Sequence, residues 1–490
     1  GVNMVVMRSP LPDHRTKIVC TIGPATRGED AIRGLMLAGM NVARLNFSHG
    51  TPEDHEADIR AIRQVASGLN RNVAILADLP GPKIRIGEVR GGSVLLRQGD
   101  RVVLTLREAE GTSSLLPVLF EGLPESVEPG QRIFLNDGFI ELVVVSKTPE
   151  EVLCQVITGG PILSRKGMNL PDSRLSLEAL TPADLELMAF GLDRGVDMFG
   201  LSFVSAPEDV ERARAFAEGR GHRPFLIAKI ERAEALERID GLIAAADGIM
   251  VARGDLGVEI PIENVPIVQK QLILKANLAA KPVITATQVL ESMTGNTRPT
   301  RAEVTDAANA VFDGTDALML SEETAVGRYP VESAGMLARI AAAAETGRFS
   351  VVSGTVVPDA IMRAIELSGA PVEDVLSLDV HRAAASLDIS SIVVPSLRGV
   401  TARRLSRLKG RAWIIALCAD ERVCRSLSLS YGVAAIPSGA VPSDGEMILG
   451  LGESGLLGSG EQVIIVRRDL MGGVGTAHTF RIVTPAQGRP

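Results

Sequence analysis

The sequence predicts a (β/α)8 TIM barrel with an inserted all-β lid domain and a C-terminal α/β domain. Eight short apolar runs recur, each followed by a polar or glycine-rich turn and a helix-like segment. The third run ends at residue 78 and the fourth begins at residue 196, and most of that gap alternates apolar and polar residues. After about residue 345 the strand–helix pattern restarts on a smaller scale.

The barrel prediction depends on the number of these runs. Strands that alternate with helical patterns of about 10–15 residues indicate βαβ units around a parallel sheet, and eight such units typically close into a barrel. We assign residues 1–86 and 168–345 to the barrel and expect residues 1–14 to be flexible. The runs are "KIVCTI" (17–22), "NVARLN" (41–46), "NVAILAD" (72–78), "VDMFGLS" (196–202), "PFLIAKI" (224–230), "DGIMVA" (247–252), "PVITAT" (282–287) and "DALMLS" (316–321).

Two further domains are predicted around the barrel. Residues 87–167 alternate at period two between Gly, Asp and Asn turns, which predicts an all-β module. The loops that follow barrel strands lie at the catalytic face, so this module is placed to act as a lid. Residues 346–490 are assigned to an α/β regulatory domain with strands near 390–396, 411–418, 432–437, 461–468 and 478–484.

Composition excludes several classes of protein. The formal charge of −8 argues against binding to nucleic acid or a membrane surface, which favour basic patches. Apolar residues make up 46% but aromatic residues only 3%, which suits parallel strands buried on both faces. The four cysteines have no disulfide or zinc spacing, which favours a reducing cytoplasm. We find no signal peptide and no apolar run of about 18 residues.

Polar and charged side chains follow nearly every predicted barrel strand. In a barrel these strand ends supply the catalytic groups. The polar and charged residues at the predicted strand ends are Thr21, Arg44, Asn46, Ser48, Asp78, Lys83, Ser202, Lys229, Glu231, Arg253, Asp255, Thr285, Thr287, Ser321 and Glu323.

Glu231 and Asp255 form the predicted metal pair. Two carboxylates from adjacent strands are a usual protein contribution to a Mg²⁺ site. Lys229 lies beside them, and a cation beside a metal indicates a shared anion such as a phosphate or an enolate. The alternative is a salt-bridge network in which Glu231 pairs with Arg253 or Lys229.

Three more strand-end features suit an anionic substrate. Arg44 and Arg85 are suited to clamp phosphoryl oxygens, although Arg85 would equally fit an exposed surface position. Backbone N–H groups near Gly254 would bind a carboxylate.

The chain lacks a Gly-Lys dipeptide and therefore a P-loop. From the residues alone, His49 and His55 are ordinary loop or helix residues.

These segments together resemble the pyruvate kinase family over essentially the whole chain. Nine segments match in order: "TKIVCTIGPAT" (16–26), "NVARLNFSHG" (41–50), "DLPGPKIR" (78–85), "LNDGFIEL" (135–142), "KGMNLPD" (166–172), "AKIERAEAL" (228–236), "GIMVARGDLGVE" (248–259), "ITATQVLESM" (284–293) and "LMLSEETAVGRYP" (318–330). The resemblance implies the same three-domain architecture, a homotetramer, and phosphoryl transfer from phosphoenolpyruvate to ADP, giving pyruvate and ATP.

The resemblance also implies roles for single residues. Glu231 and Asp255 would hold Mg²⁺ (or Mn²⁺), while Lys229, Arg44 and Arg85 would stabilise the transferring phosphoryl group. Gly254, Asp255, Ser202 and the Thr287 hydroxyl would bind the substrate. Thr287, through a water and with Ser321, would be the proton route to the enolate. The nucleotide would lie near Asn46, His49, Asp137 and Lys166.

The sequence departs from the family pattern at the monovalent-cation site. The family's K⁺ ligands match Asn46, Ser48, Asp78 and the carbonyl of Leu79. The position of Lys83 is usually Glu in K⁺-dependent members, and that of Leu79 is usually Thr. A lysine ammonium is a compact charge on a flexible stem, so we expect activity without K⁺. The alternative is that Lys83 is a solvated loop residue.

A second departure concerns regulation. Ser396, Arg398, Gly399 and Thr401 resemble the family's effector phosphate loop. In members activated by fructose 1,6-bisphosphate, a C-terminal loop supplies Trp and Arg to the second phosphate. Here Leu470 and Met471 stand about there, which favours a monophosphate effector, although Arg467 and Arg468 offer a second site.

Two alternatives remain at this point. One is a related barrel, such as a lyase or a dikinase fragment, which would not need the nucleotide lid. The other is a catalytically dead sugar-phosphate sensor, against which the intact Lys229, Glu231, Asp255 and Thr287 argue.

Overall fold

The structure is a computed structural model. It describes residues 11–173, 175, 177–350, 356–367, 369–439, 441–458, 460–470 and 476–485. Residues 1–10 of the segment that we expected to be flexible, and Met471, lie outside these ranges.

The described strands follow the apolar runs. In chain order they are β1 (Lys17–Ile22), β2 (Val42–Asn46), β3 (Ala74–Asp78), β4 (Ser93–Leu96), β5 (Arg101–Thr105), β6 (Leu115–Pro117), β7 (Arg132–Leu135), β8 (Ile140–Lys147), β9 (Glu151–Thr158), β10 (Gly160–Leu163), β11 (Met168–Asn169), β12 (Met198–Leu201), β13 (Phe225–Ile230), β14 (Gly248–Ala252), β15 (Val283–Ala286), β16 (Ala317–Leu320), β17 (Ser391–Ser396), β18 (Trp413–Cys418), β19 (Val433–Pro437), β20 (Val463–Leu470) and β21 (Thr476–Val483).

Helices separate most of the parallel strands. They are α1 (Glu29–Ala38), α2 (Pro52–Gly68), α3 (Leu123–Ser126), α4 (Pro182–Asp193), α5 (Pro207–Gly219), α6 (Ala233–Glu237), α7 (Ile239–Ala245), α8 (Arg253–Glu259), α9 (Val265–Leu278), α10 (Arg301–Asp313), α11 (Glu322–Ala325), α12 (Pro330–Ser350), α13 (Val356–Glu366), α14 (Val372–Ser386), α15 (Val400–Ser406), α16 (Glu421–Ser426) and α17 (Asp444–Glu453), with short 3₁₀ turns at Arg90–Gly92, Ile262–Asn264, Glu291–Thr294 and Leu427–Leu429.

The predicted barrel is confirmed. Its eight parallel strands close in the order β1-β16-β15-β14-β13-β12-β3-β2. Strand β3 pairs directly with β12, so the residues between them leave the barrel and return to the neighbouring strand. The barrel strands are almost wholly buried, as expected for Val-, Ile- and Leu-rich strands covered by helices.

The insert is a mainly β unit with its own apolar core, and it also contains the one-turn helix α3. Six strands form a sheet in the order β11-β7-β8-β9-β5-β6, and β10 pairs with β4. Two contacts bring the insert onto the barrel helix α8. A Cβ built on Gly138 would lie 3.5 Å from Val258, and the Asn169 side chain hydrogen-bonds to Glu259.

The C-terminal unit packs on the opposite end of the barrel. Its sheet has the order β19-β18-β17-β20-β21, with β21 antiparallel. Asp316, just before β16, is buried, and its carboxylate accepts bonds from Lys409 Nζ at 2.8 Å and the Tyr431 backbone N–H at 3.0 Å. Lys17 Nζ at the start of β1 donates to the Val433 carbonyl at 2.6 Å. Burial, opposed by the charges of Asp316 and Glu345, lowers the pKa of Lys17 to about 8.

Within the described residues, no helix combines the length and the apolar character needed to span a bilayer.

The domain contact at Asp316 generates a stability prediction. Asp316→Ala leaves the buried Lys409 ammonium without its carboxylate, so we expect the free energy of unfolding to fall by about 3–5 kcal/mol. Urea unfolding followed by Trp413 fluorescence reports on this interface, because the Trp413 ring lies 5.9 Å from Lys17 Nζ. The control is Asp100→Ala, at an exposed turn of the insert, where we expect a change within about 0.5 kcal/mol. Equal unfolding free energies for the two variants would contradict this role.

Candidate active site

Asp78, the last residue of β3, is the centre of the polar network at the barrel rim. One carboxylate oxygen accepts two bonds from Arg44, from Nε at 2.9 Å and from Nη2 at 2.7 Å. The other accepts a bond from Lys229 Nζ at 2.9 Å. Arg44 also donates to the Thr21 hydroxyl at 2.9 Å. Because β2, β3 and β13 are parallel strands of one barrel, their C-terminal ends bring these groups to the same rim.

Charge pairing dominates the electrostatics of this network. Burial raises the pKa of Asp78, but the charges of Lys229 and Arg44 outweigh burial and hold it below its usual value. Burial lowers the pKa of Lys229, but the Asp78 and Glu231 carboxylates outweigh burial and raise it. Lys229 therefore stays a cation, although its side chain is only 10% exposed.

Glu231 follows β13, and neighbouring cations neutralise its charge less completely than they neutralise the charge of Asp78. Its two oxygens accept from Lys229 Nζ at 2.9 Å and from the Phe203 backbone N–H at 2.7 Å. Burial raises the pKa of Glu231 to about 7, and the charges of Asp255 and Asp78 add to this against the opposing Lys229. The ion pair between Glu231 and Lys229 is thus present. Arg253, the other partner considered from the sequence, binds Asp306 instead.

Thr287 and the start of α8 meet beside this carboxylate cluster. The Thr287 hydroxyl donates to the Ala286 carbonyl at 2.7 Å and accepts from the Gly254 backbone N–H at 2.8 Å. A Cβ on residue 254 would lie 3.4 Å from that hydroxyl oxygen, which is an ordinary van der Waals contact. The Gly254 N–H, which we expected to bind a substrate carboxylate, is bonded to Thr287 in this structure.

Of the remaining strand-end residues, Ser202, Ser321 and Glu323 lie at strand ends as predicted, and Thr285 does not. The Ser202 hydroxyl joins the network, accepting from Lys229 Nζ at 2.8 Å and donating to the Leu79 carbonyl at 2.6 Å. Ser321 and Glu323 lie together after β16, where the Ser321 N–H donates to Glu323 at 2.7 Å. Thr285 does not belong to the rim, because its hydroxyl bonds inside the fold to Thr315, which precedes β16.

The residues of the predicted cation site differ in how directly the structure connects them to Asp78. Asn46 accepts a bond from the Ser48 backbone N–H at 3.1 Å through its side-chain oxygen. Lys83 is exposed and packs on the insert, where a Cβ on Gly167 would lie 3.6 Å from its Nζ. Within the described residues, no hydrogen bond or ion pair joins the Lys83 side chain to Asp78 or Asn46.

The residues assigned to the nucleotide belong to two domains, Asn46 and His49 to the barrel and Asp137 and Lys166 to the insert. Asp137 is exposed in a turn with a left-handed backbone, φ 55°. Lys166 is half-buried, and its carbonyl accepts the Ile86 N–H at 3.0 Å. Arg85 reaches the same segment, donating to the Arg165 carbonyl at 3.0 Å. His49 is exposed, and its carbonyl is within 2.7 Å of His55 Nε2.

The predicted effector loop follows β17. The Gly399 N–H donates to the Ser396 hydroxyl at 2.8 Å, and Gly399 has φ 76°, which glycine adopts without strain. Arg398 is exposed and Thr401 half-buried. Arg467, on the neighbouring strand β20, is engaged by Asp444 and by the Pro442 carbonyl at 2.6 Å.

Asp306 is the site residue that the sequence interpretation missed. It lies on α10, and its carboxylate binds Arg253 Nη1 with both oxygens at 2.7 Å. Asp306, Asn309 and Asp313 recur every three or four residues, a spacing that places them on one helix face. This spacing was the available sequence signal for Asp306, but it does not correspond to a functional motif.

Comparisons with known proteins agree with this geometry. Residues 13–334 match the family model of the pyruvate kinase barrel domain, and residues 374–483 match that of the pyruvate kinase alpha/beta domain. A pyruvate kinase of Thermococcus litoralis is 50% identical over 425 residues, covering 86% of this chain and 88% of that protein. Pyruvate kinase 2 of Synechocystis sp. is 41% identical, covering 97% and 80%. The crystal structure of a pyruvate kinase from Cryptosporidium parvum superposes with a TM-score of 0.88 at 34% identity, covering 96% of both chains.

Proposed function

The chain belongs to the pyruvate kinase family, and on that premise we propose that it transfers the phosphoryl group of phosphoenolpyruvate to ADP with the rim residues described above. The observation that carries the proposal is the buried pair of cations, Arg44 and Lys229, around Asp78. Phosphoryl transfer depends on positioning and charge neutralisation, and these two cations face the same small region. Their common carboxylate fixes their orientation before substrate binds.

We assign the other roles residue by residue. Lys229, Arg44 and Arg85 bind the phosphoryl oxygens. Ser202 orients Lys229, since its hydroxyl oxygen accepts from Nζ. The start of α8, at Gly254 and Asp255, and the Thr287 hydroxyl bind the substrate carboxylate. Thr287, with Ser321 and a water, delivers the proton that converts the enolate to pyruvate, because a threonine hydroxyl alone is a weak acid.

A divalent cation fits beside these residues. Glu231 and Asp255 are hard oxygen ligands of the kind that Mg²⁺ or Mn²⁺ prefers. Glu231 is buried, and the Asp255 and Asp78 charges add to burial in raising its pKa, so a bound divalent cation would relieve repulsion among these carboxylates. Mg²⁺ bound there would neutralise charge on the substrate oxygens.

The metal assignment predicts the binding of Mn²⁺. Glu231→Gln and Asp255→Asn should each weaken Mn²⁺ binding about tenfold or more, since each removes a charged oxygen ligand. Electron paramagnetic resonance of free Mn²⁺ measures this without turnover. The control is Glu323→Gln, a buried carboxylate that follows a different strand, β16, and accepts the backbone N–H groups of Leu290 and Ser321. An unchanged dissociation constant in both test variants would exclude this pair as the metal site.

We propose that the enzyme needs no K⁺. The oxygens that would bind the cation accept bonds from the protein: Asp78 from Arg44 and Lys229, and the Leu79 carbonyl from Ser202. Lys83, on the loop that leads into the insert, then supplies the monovalent charge when the lid closes. Asn46 and Ser48 complete this site.

The first assay is pyruvate formation from phosphoenolpyruvate, ADP and Mg²⁺ in tetramethylammonium buffer, with and without K⁺. We expect full activity without K⁺, and a K⁺ requirement in Lys83→Glu, which replaces the ammonium with a carboxylate. The matched variant Lys83→Met removes the ammonium and adds no oxygen ligand, so we expect K⁺ to restore less activity in it than in Lys83→Glu. Wild-type activity only with K⁺ would make Lys83 a bystander. No activity in either buffer would contradict the proposed reaction and favour a sugar-phosphate sensor.

The ADP site and the assembly belong to the same proposal. Asn46, His49, Asp137 and Lys166 contact the nucleotide, and lid closure completes that site because Asp137 and Lys166 lie in the insert. We divide the chain into barrel (1–86 and 168–345), lid (87–167) and regulatory domain (346–490), with two adjustments: β11 extends the insert's sheet to Asn169, and helix α12 continues across residue 345 to Ser350. We also propose a homotetramer that acts in the cytoplasm.

We propose a monophosphate effector at the C-terminal domain. Ser396, Arg398, Gly399 and Thr401 form the phosphate loop. Arg467 is held by Asp444, which supports a site without a second phosphate group. The structure does not describe Met471.

A titration tests the effector proposal. AMP, ribose 5-phosphate or glucose 6-phosphate should lower the concentration of phosphoenolpyruvate needed for half-maximal rate, and Arg398→Met should abolish this response. The control is Arg422→Met, an exposed arginine of the same domain that pairs with Asp420. Micromolar activation by fructose 1,6-bisphosphate alone would overturn the proposal.

A further inference from the structure

Thr287 has a backbone conformation that a β-branched residue rarely adopts. Its φ is 68°, and Gln288, the next residue, has φ 53°. A Cβ-branched side chain at positive φ is a genuine outlier. Such conformations persist only where the surrounding structure determines them, and they cluster at functional sites. The groups that hold Thr287 in place therefore matter for its function.

Arg253 is the side chain that holds this turn. Its Nε donates to the Ala286 carbonyl at 3.1 Å and its Nη2 to the Thr287 carbonyl at 2.8 Å. Its Nη1 binds both oxygens of Asp306 at 2.7 Å. The guanidinium side chain is 13% exposed. One rigid fork thus connects helix α10 to two successive carbonyls at the end of β15.

The same residue also begins α8. Gly254, the next residue, donates its N–H to the Thr287 hydroxyl at 2.8 Å, and Asp255 follows as the proposed metal ligand. The end of β15 and the start of α8 are therefore joined twice, by the Arg253 side chain and by the Gly254 backbone. Moving Arg253 would therefore shift the Thr287 hydroxyl.

We propose that Arg253, fixed by Asp306, is a positioning residue for enolate protonation, acting through Thr287 without touching the substrate. This inference rests on the role of Thr287 in the proposed function. A lysine at position 253 keeps the charge. Its single ammonium, however, cannot bind Asp306 and both carbonyls in the planar geometry of a guanidinium.

The test separates proton transfer from phosphoryl transfer. In D2O with Mg²⁺ and ATP, a methyl C–H bond of pyruvate breaks, its proton passes to the water beside Thr287 and exchanges into solvent, and its electron pair forms the enolate. Solvent then returns a deuteron to the carbon. Proton NMR of the methyl signal measures this exchange, and a coupled assay measures kcat and the KM values.

Arg253→Lys should lower the exchange rate and kcat by about 10- to 100-fold, since a displacement of about 1 Å can cost that much. The KM for ADP should stay within about twofold, because the proposed nucleotide residues lie elsewhere. Asp306→Asn should lower exchange less, and Asp306→Glu should restore most of it. In a Thr287→Ala background, Arg253→Lys should have little further effect, because both changes remove the same function.

Arg63→Lys is the matched structural control. Arg63 also binds two carbonyls, of Val73 and Gly195, and one aspartate, Asp197, but at the opposite end of the barrel. We expect it to lower thermal stability and leave exchange and kcat unchanged at a temperature where the protein is folded.

The outcomes separate the inference from its premise. An inactive wild type would refute the proposed reaction. A Thr287→Ala variant with normal exchange would refute the role of Thr287. If Thr287→Ala loses exchange but a folded Arg253→Lys does not, the positioning role of Arg253 alone is wrong. Equal losses of activity in Arg63→Lys would also overturn it, by showing a general effect of stability.

Discussion

The candidate site depends on the buried Asp78 carboxylate between Arg44 and Lys229. Two cations this close repel each other, and in a low-dielectric interior that repulsion is strong. A carboxylate between them makes their burial tolerable, and the hydrogen bonds to Thr21 and Ser202 satisfy further donors. Asp78 and Glu231 already hold the two cations in place, so a phosphate would meet fixed cations without reorganising flexible side chains.

The barrel supplies this geometry because its strands end at one face. Arg44, Asp78 and Lys229 are distant in sequence, yet β2, β3 and β13 reach the same rim. The C-terminal domain contacts the other end, through Asp316 and Lys17. Stability contacts and site contacts therefore occupy opposite ends of the same strands, a separation typical of this fold.

Periodicity and strand-end chemistry were enough to predict the barrel, the insert and the rim residues, since both are local in the sequence. The partners of those residues were less accessible. Arg253 was considered as an ion-pair partner of Glu231. It binds Asp306 instead, which lies 53 positions away along the chain. Thr285 was grouped with the strand ends although its hydroxyl bonds to Thr315, because a period of two does not fix where a short strand stops. Pairings across a closed barrel depend on strand order and helix rotation, which single residues do not encode.

The strained turn at Thr287 shows how such pairings fix the geometry of a candidate functional group. Left alone, a β-branched residue would leave the left-handed region, and the hydroxyl would move with the backbone. Arg253 opposes this by binding the carbonyls of Ala286 and Thr287, which precede and follow the Thr287 Cα atom. Asp306 holds Arg253 from a separate helix. Because three elements fix one hydroxyl, its position does not depend on the substrate. A weak acid such as threonine gains most from a fixed position, since its pKa offers little driving force and geometry must supply the rest.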